Sequence, residues 1–223
     1  MQQKITEKQK NALNAIYESI KETGFPPTLA DLRERLKVVS NQAVLNFLKV
    51  LERKGFIERT WGEKKARSIK ILRLGFQLLG KEVLVPAAGI TSAGPYVESF
   101  TDTFTNWMPL PGKILENEKI NFSENVFILQ VHGDSMINAG IDDGDILLIQ
   151  KTNQFRSGDI VVARNDDGTT VKRFISESNG RAYLKPENPK YSNLTIYEDT
   201  YFDGRVILNL TKVEKGYEQP KNN

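Results

Sequence analysis

The first third of the chain has the apolar spacing of amphipathic helices. Between Thr6 and Thr23, apolar residues recur at every third or fourth position, namely at Leu13, Ile16, Tyr17 and Ile20. This spacing predicts a helix with Thr6 as its N-cap. The Gly24-Phe25-Pro26-Pro27 sequence that follows ends the helix, because proline cannot continue it and glycine suits the C-terminal turn.

Two shorter helical patterns follow. Thr28 is the predicted N-cap of a second helix, and Ser40 is that of a third helix, which runs to about Lys54 and ends at Gly55. The inner face of the third helix is apolar and consists of Val44, Phe47, Leu48 and Leu51. Its outer face carries Gln42, Asn46, Lys49 and Arg53, with Leu45 at the margin. Two short helices, of which the second is polar and basic on the outside, predict a helix-turn-helix.

An alternating pattern typical of a β-hairpin comes next. Residues 56–60 and 68–72 alternate apolar and polar side chains, and a basic turn with Lys64, Lys65 and Arg67 joins them. Such a hairpin behind a helix-turn-helix is typical of the wing of a winged helix. We expect its three cations to contact DNA phosphates, which gives affinity without sequence information. The alternative is a protein-docking three-helix unit with a solvated basic face, and the wing favours DNA.

Sequence-specific contacts are expected from the third helix. If this helix lies in the major groove, Gln42 and Asn46 reach base edges, and Leu45 can contact a thymine methyl group. Together with the wing, the predicted DNA-binding residues are Ser40, Gln42, Leu45, Asn46, Lys49, Lys64, Lys65 and Arg67.

The pattern changes at about Val83, from helical spacing to short apolar runs broken by Gly, Pro, Asn and Asp. Strand-like runs occupy residues 126–131, 146–149, 159–163 and 206–210. Asp166-Asp167-Gly168 predicts a tight turn between two paired strands. No helical pattern of comparable strength follows Val83. The predicted fold class is therefore α+β with two domains, a winged helix-turn-helix and a mainly-β domain.

Charge separates the same two regions of the 223-residue chain. Residues 1–75 contain 16 Lys and Arg against 8 Asp and Glu, whereas the remainder contains 15 against 20. A basic module suggests a polyanionic partner, although lysines that only solvate the surface are an alternative. The absence of cysteine excludes disulfides and cysteine-ligated zinc. Without an apolar run of about 18 residues or an apolar N-terminal segment, we expect no membrane span, no signal peptide and a cytoplasmic location.

One strand-turn sequence, residues 131–136, carries candidate chemistry. Gly133 permits a sharp turn after the strand, which leaves Ser135 at an exposed corner with its N–H free to donate. A serine nucleophile needs a base, and the only histidine is His132, whereas catalytic triads draw their histidine from elsewhere in the fold. A buried lysine is the other candidate, since desolvation lowers its pKa. Lys172 lies in a strand, but an alternating strand equally allows it to face solvent, so the residues alone leave the base open.

Short motifs along the chain resemble the LexA family of self-cleaving repressors. In the second region they are Gly133-Asp134-Ser135-Met136, Asp143-Gly144-Asp145-Ile146 and Thr170-Val171-Lys172-Arg173-Phe174. In the first region they are Thr6-Glu7-Lys8-Gln9, Gly24-Phe25-Pro26-Pro27-Thr28 and Leu51-Glu52-Arg53-Lys54-Gly55-Phe56-Ile57. They occur in matching order over nearly the whole chain, which makes the resemblance specific. It implies a serine peptidase that acts on its own chain, with Ser135 as the nucleophile and Lys172, held neutral, as the general base.

The resemblance also implies a cleavage site, because the family cuts an Ala–Gly bond upstream of the serine. The chain offers Ala88–Gly89 and Ala93–Gly94. Aligning Gly89 with the glycine that precedes the family's cleavage loop places the cut at Ala93–Gly94, in a loop of about residues 86–98. The apolar stretch from Val83 to Ile90 can dock as a strand. An ordinary interdomain loop is the alternative interpretation.

By the same resemblance, residues 1–73 are the DNA-binding domain, 74–82 a connector and 83–223 the autopeptidase and dimerisation domain. The implied partners are double-stranded operator DNA, a second copy bound through the Val206–Leu210 strand, and a RecA filament on single-stranded DNA as the trigger in the SOS response. No cofactor or metal is implied, because Asp142-Asp143-Gly144-Asp145 lacks the spaced ligands of a calcium loop. Leu45 and Asn46 replace two adjacent glutamates of the family, so its usual operator is not assumed.

Two alternatives stay open. A phage-type or other stress-responsive repressor shares all of this chemistry and differs in the genes that it controls. A Ser–Lys signal peptidase that acts on other chains uses the same dyad. That enzyme needs a membrane anchor, however, and has no use for a DNA-binding module.

Overall fold

The computed structural model describes residues 5–59, 69–92, 106–110, 114, 126–166 and 168–214. The chain forms two compact units, Met1–Leu84 and Val85–Asn223. The predicted wing cations Lys64, Lys65 and Arg67 and the predicted Ala93–Gly94 bond lie outside the described residues. Within the described ranges, none of the helices combines the length and the apolar character that crossing a bilayer requires.

Three capped helices form the first unit: α1 (Glu7–Thr23), α2 (Leu29–Arg35) and α3 (Asn41–Arg53). Their N-caps are the predicted ones, since the hydroxyls of Thr6, Thr28 and Ser40 each accept a hydrogen bond from the third residue of the helix. α1 ends at Gly24, whose φ of 74° is the left-handed conformation that glycine adopts readily. Phe47 is only partly buried at the edge of the predicted apolar face. The core of the unit includes Leu13, Ile16, Leu32, Val44, Leu48 and Leu51.

A short hairpin and a fourth helix complete the first unit. β1 (Ile57–Arg59) pairs antiparallel with β2 (Ile69–Ile71), and α4 (Arg73–Leu79) follows. The predicted domain end at residue 73 and the predicted connector at 74–82 do not include this helix, which is an addition to the predicted fold. α2 has the same length but begins after the capping residue Thr28, whereas α4 begins after Leu72, whose side chain makes no cap, so no start signal marks it in the sequence.

Close packing ties α4 to the rest of the first unit. Gly75 lies so near the Phe56 carbonyl oxygen that a Cβ atom would come within 2.5 Å of it, so only glycine fits there. Phe76 is buried and meets the Tyr17 ring edge-on, with 6.1 Å between the ring centroids. The helix is therefore part of the first unit, whose boundary falls after Leu84.

The second unit is mainly β. In the described residues its strands are β3 (Leu84–Ser92), β4 (Asn106–Pro109), β5 (Val126–His132), β6 (Ile146–Gln150), β7 (Ile160–Asn165), β8 (Gly168–Ser176), β9 (Ala182–Lys185), β10 (Leu194–Thr195) and β11 (Tyr201–Asn209). A 3-10 turn at Ile137–Ala139 and a short helix, α5 (Leu210–Glu214), accompany them. The predicted α+β architecture is confirmed, with the helical patterns in the first unit and the strand-like runs in the second.

Strand pairing closes part of this sheet into a barrel. The order of neighbouring strands is β10-β9-β8-β7-β11-β6-β5-β3-β4, and β3 also pairs with β8. The strands β3, β5, β6, β11, β7 and β8 therefore form a closed ring. The ring closes at Ser92, whose backbone lies opposite both His132 of β5 and Thr170 of β8. The buried core of this unit includes Phe127, Leu129, Val131, Leu147, Ile149, Val162 and Val171.

Candidate active site and DNA-reading surface

The β5 strand leads directly into the turn that holds Ser135. Gly133 has a φ of 96°, which lets the chain turn sharply just before the serine. Met136 follows the serine and is buried in the core. The sequence predicted an exposed corner here, which is wrong, because the side chain of Ser135 is 0% exposed. Asn188, from the connection between β9 and β10, hydrogen-bonds across the turn and helps to enclose it.

Lys172 approaches the serine from β8. Its side chain is 2% exposed, so the alternation of the strand turns it inward and not toward solvent. Lys172 Nζ lies 2.8 Å from Ser135 Oγ, 2.7 Å from Thr170 Oγ1 and 3.0 Å from the Val171 carbonyl oxygen. The fold thereby joins two candidate side chains that are 37 positions apart in the sequence.

Burial changes the acid–base behaviour of Lys172. Desolvation disfavours the ammonium form and lowers the pKa of Lys172 to about 8. A large share of the side chain is therefore neutral at mildly alkaline pH. A neutral amine beside a serine hydroxyl can accept its proton, so the pair is suited to nucleophilic chemistry.

His132 occupies a different environment from Lys172. Its side chain is 50% exposed, and its Nδ1 lies 3.2 Å from Asp143 Oδ1. The same carboxylate oxygen accepts a hydrogen bond from the Gly133 N–H at 2.7 Å, and this bond lowers the pKa of Asp143. Asp143 thus holds Gly133, the first residue of the turn that contains Ser135. His132 contacts the same carboxylate at the protein surface.

The acidic sequence from Asp142 to Asp145 forms a turn, in which Gly144 has a φ of 82°. Two of its carboxylates bind side chains of β11 and α5. Asp145 is buried and accepts a hydrogen bond from Asn209 Nδ2 at 2.7 Å, and Asp142 pairs with Lys212. The cluster therefore connects β11 and α5 to the turn that supports the serine.

The end of β3 leads into the same site. The backbone of Ser92 lies opposite His132, three residues before Ser135, and opposite Thr170, two residues before Lys172. The end of β3 thus lies between β8, which carries the candidate base, and β5, which leads into the turn of the candidate nucleophile.

The two candidate scissile bonds occupy different positions relative to β3. The Ala88–Gly89 bond lies inside β3, where Ala88 pairs with Leu129 and the register shifts before Ile90. The Ala93–Gly94 bond directly follows the last residue of β3 and lies beyond its described part. Only the second bond comes after the strand has reached the site.

The outer face of α3 is exposed, as the sequence predicted. Gln42, Asn46 and Lys49 are exposed, and Leu45 is partly buried at the margin. Gln42 Nε2 donates to Asn46 Oδ1 at 3.1 Å, so the two predicted base-reading side chains lie side by side. Ser40 is exposed and caps the helix. The first unit therefore presents a polar helix face of the kind that enters a major groove.

Sequence reasoning missed the contribution of the connection between β9 and β10. Asn188 Nδ2 donates to the Asp134 carbonyl oxygen at 2.9 Å, and the Tyr191 hydroxyl donates to Asp134 Oδ1 at 2.5 Å. The Pro186-Glu187-Asn188-Pro189 sequence is typical of a turn. Nothing in that pattern indicates a contact with a residue 54 positions earlier.

Comparison with known proteins assigns both units to families. Residues 87–207 match the Peptidase S24-like family, and residues 2–68 match the LexA DNA binding domain. A LexA repressor of Caldicellulosiruptor saccharolyticus is 38% identical over 210 residues, which cover 93% of this chain and 97% of that protein. A LexA repressor of Leuconostoc mesenteroides is 33% identical over 204 residues, which cover 90% and 93%.

Among solved structures, MepR of Staphylococcus aureus bound to ethidium bromide shares 26% identity with this chain. The match covers 35% of this chain and 55% of MepR, with a TM-score of 0.30. A score this low carries no conclusion about fold or function.

Proposed function

The chain belongs to the LexA family of repressors, and we propose that it cleaves its own backbone at Ala93–Gly94 with Ser135 and Lys172. Membership of the family gives the broader function, a LexA-like transcriptional repressor with a DNA-binding domain and a self-cleaving S24 serine peptidase domain. The proposed dyad is supported above all by the 2.8 Å distance between Lys172 Nζ and Ser135 Oγ, two residues that are both buried.

The contacts of Lys172 suit a neutral amine, which has two N–H donors and one lone pair. Thr170 Oγ1 and the Val171 carbonyl oxygen, at 2.7 Å and 3.0 Å from Nζ, can accept the two N–H hydrogen bonds. The lone pair is then left for the Ser135 hydroxyl at 2.8 Å. In this arrangement the hydroxyl donates to Nζ, as general-base catalysis requires.

Cleavage then proceeds through an ester intermediate. Ser135 Oγ attacks the carbonyl carbon of Ala93 while its proton passes to Lys172 Nζ. The tetrahedral intermediate collapses, the C–N bond to Gly94 breaks, and the Lys172 ammonium returns the proton to the departing amine. Water, activated by Lys172, hydrolyses the ester, regenerates the Ser135 hydroxyl and leaves a carboxylate on Ala93.

The course of β3 supports Ala93–Gly94 as the bond. Ser92 pairs with β8, which carries Lys172, and with the end of β5, which leads into the Ser135 turn, and Ala93 is the next residue. A cut at Ala88–Gly89 would require part of β3 to leave its pairing with β5, since Ala88 is held opposite Leu129. Small residues at the scissile bond also let the backbone lie close to a buried nucleophile.

Repression is proposed to require two copies of the chain on one operator. The α3 helices would read bases in the major groove through Gln42, Leu45 and Asn46, while Lys64, Lys65 and Arg67 contact phosphates. β11 pairs with β6 along Arg205–Asn209 but with β7 only up to Arg205. Among the described strands, none pairs with the other edge of residues 206–209, which suits an interface with a second copy.

The proposed trigger follows from the family. A RecA filament on single-stranded DNA would promote self-cleavage after DNA damage, and the cut would separate the DNA-binding unit from the dimerising unit. The proposed location of the protein is the cytoplasm, where bacterial operator DNA is reached.

The test is self-cleavage of the purified protein as a function of pH. Since Lys172 acts in its neutral form, the rate should rise with pH through about 8 and level off above it. Mass spectrometry should give fragments 1–93 and 94–223, with Gly94 as the new N-terminus. A rate that does not change with pH would contradict Lys172 as the base, and a cut after Ala88 would contradict the bond.

A further inference from the structure

The turn that contains Ser135 is held by hydrogen bonds to a segment that has no role in the proposed mechanism. This segment, residues 187–191, lies in the connection between β9 and β10 and is called the 187–191 segment below. Its first carbonyl oxygen accepts a hydrogen bond from the Asn138 N–H at 2.9 Å, just after the serine turn. Asn188 Nδ2 donates to the Asp134 carbonyl oxygen at 2.9 Å, just before the serine. The two contacts hold the turn on both sides of the nucleophile.

The Asn188 contact is the shorter of two hydrogen bonds to the peptide group that carries the serine N–H, since the Asp134 carbonyl oxygen also accepts from the Ile137 N–H at 3.3 Å. The Asp134 carbonyl and the Ser135 N–H belong to one planar trans peptide, in which they point in opposite directions. An anchored carbonyl therefore fixes the direction of the N–H. Within the described residues, the Ser135 N–H donates to no acceptor. A free backbone donor at the nucleophile is the kind of group that stabilises an oxyanion in acyl transfer.

The side-chain amide of Asn188 can take only one orientation here. Asn188 is 6% exposed, and its Oδ1 accepts a hydrogen bond from the Lys190 N–H at 3.1 Å. Rotating the amide by half a turn would place Oδ1 against the Asp134 carbonyl oxygen and an NH₂ group against the Lys190 N–H. Both contacts would become repulsive, so the network assigns the NH₂ group to Asp134.

We propose that Asn188 is a positioning residue for self-cleavage. By donating to the Asp134 carbonyl oxygen, it holds the Ser135 N–H toward the carbonyl oxygen of the bond under attack. There the N–H stabilises the negative charge that develops in the tetrahedral intermediate. This inference rests on the proposed function, because it requires Ser135 to be the nucleophile.

The same segment is also fastened to the strand of the general base. Arg173, next to Lys172 on β8, donates through Nε to Glu187 Oε1 at 2.7 Å. At the other end, the Tyr191 hydroxyl donates to Asp134 Oδ1 at 2.5 Å and lowers the pKa of Asp134. The 187–191 segment therefore links the base strand to the nucleophile turn, as a positioning element of this site should.

The experiment uses Asn188→Asp in the full chain and follows self-cleavage at about pH 10. Aspartate has the shape of asparagine and still accepts from the Lys190 N–H, but it cannot donate to Asp134. At about pH 10 Lys172 is neutral, since its pKa is about 8, so a variant that only disturbed its protonation would regain the wild-type rate. The expected result is a rate about 10- to 100-fold below wild type at that pH, as misplacement of a catalytic donor predicts.

Matched variants make the outcome decisive. Asn179→Asp introduces the same charge in the exposed β8–β9 turn, where the Asn179 side chain bonds only its neighbours, and should cleave at the wild-type rate. A wild-type rate for a folded Asn188→Asp protein would overturn the proposal. If Asn188→Asp does not fold, Asn188→Ala decides, because it removes the same donor without adding a charge; the expected loss is again about 10- to 100-fold, and a wild-type rate would overturn the proposal. Absence of cleavage in the wild type, or cleavage in Ser135→Ala, would instead refute the proposed function.

Discussion

The two units of this chain place their proposed functional side chains in opposite surroundings. On α3 of the first unit, Gln42 and Asn46 are exposed, and the core is made by the other face of the helix. In the second unit, Ser135 and Lys172 are buried and in contact with each other. A DNA-reading surface must be accessible before its partner arrives, whereas a general-base lysine becomes neutral near physiological pH only when it loses water.

The difference has an energetic consequence for substitutions. Exposed residues on α3 contribute little to folding, so their replacement should change binding and leave stability nearly unaltered. The buried lysine destabilises the fold while it is charged, so its replacement should remove catalysis and raise stability. Four experiments test this contrast between the units, from the largest expected effect to the smallest.

The largest effect is expected from removing either member of the dyad. Ser135→Ala and Lys172→Ala should each slow self-cleavage by at least about 1,000-fold, because nucleophile and base act as a unit. Operator binding by the intact variants, measured by fluorescence anisotropy, should equal that of the wild type. A loss of DNA affinity in either variant would show that the two units do not carry separate functions.

The second effect concerns separation of the units. A fragment of residues 1–93 contains the whole first unit, including α4, and should fold. It should bind a palindromic operator about 100- to 10,000-fold more weakly than uncleavable Ser135→Ala protein, because the gain in effective concentration from dimerisation is lost. The measurement compares both proteins on one operator at one salt concentration. Equal affinity would mean that cleavage serves another purpose than switching off repression.

The third effect concerns the free energy of unfolding, which the burial of Lys172 lowers. The pKa of Lys172 is lowered from 10.5 to about 8, and each pKa unit corresponds to about 1.4 kcal/mol. Because the folded state binds this proton less well than the unfolded state, the penalty is fully present below pH 8 and disappears as pH rises toward 10.5. Lys172→Met should therefore raise the free energy of unfolding at pH 7 by up to about 3 kcal/mol, and by much less at about pH 10.

Urea unfolding of the second unit, in a Ser135→Ala background, provides this measurement. Lys49 is the matched control, since it is exposed on α3. Lys49→Met should change stability by less than about 0.5 kcal/mol at either pH. An equal gain from both substitutions would attribute the effect to added hydrophobicity and not to relief of a buried charge.

The smallest effects concern the separate roles of α3 and the predicted wing in DNA binding by the first unit. Gln42→Ala and Asn46→Ala should change which operator is preferred, each at about 1–3 kcal/mol for the affected base pair. Replacing Lys64, Lys65 and Arg67 by glutamine should weaken binding to all sequences and flatten the salt dependence by about one unit of slope per lost contact. Binding titrations on operator variants at several salt concentrations separate the two. Altered preference in the wing variants alone would reverse this assignment.

The sequence predicted most where structure depends on local patterns. The three N-caps, the glycine that ends α1 and the exposed face of α3 all follow from spacing and capping chemistry that act within a few residues. The short helix α4 escaped prediction, because its place is fixed by Phe56, Tyr17 and Ile71 and not by its own seven residues. Resemblance to a family supplied Ser135 and Lys172, since the residues themselves left the base open.

Tertiary structure decided everything that depends on burial and on long-range pairing. Strand alternation permits Lys172 to face either side, and only in the folded sheet is its side chain buried, where an amine loses its proton readily. Ser135 was expected at an exposed corner and is enclosed, and its turn is contacted by Asn188, which lies 54 positions after Asp134. By itself, the sequence determined the three capped helices and the main strands and limited the candidate chemistry to a few side chains, because these follow from local propensity and residue type. Which of those side chains lose water and meet was decided by the barrel, because desolvation and distance are properties of the assembled chain.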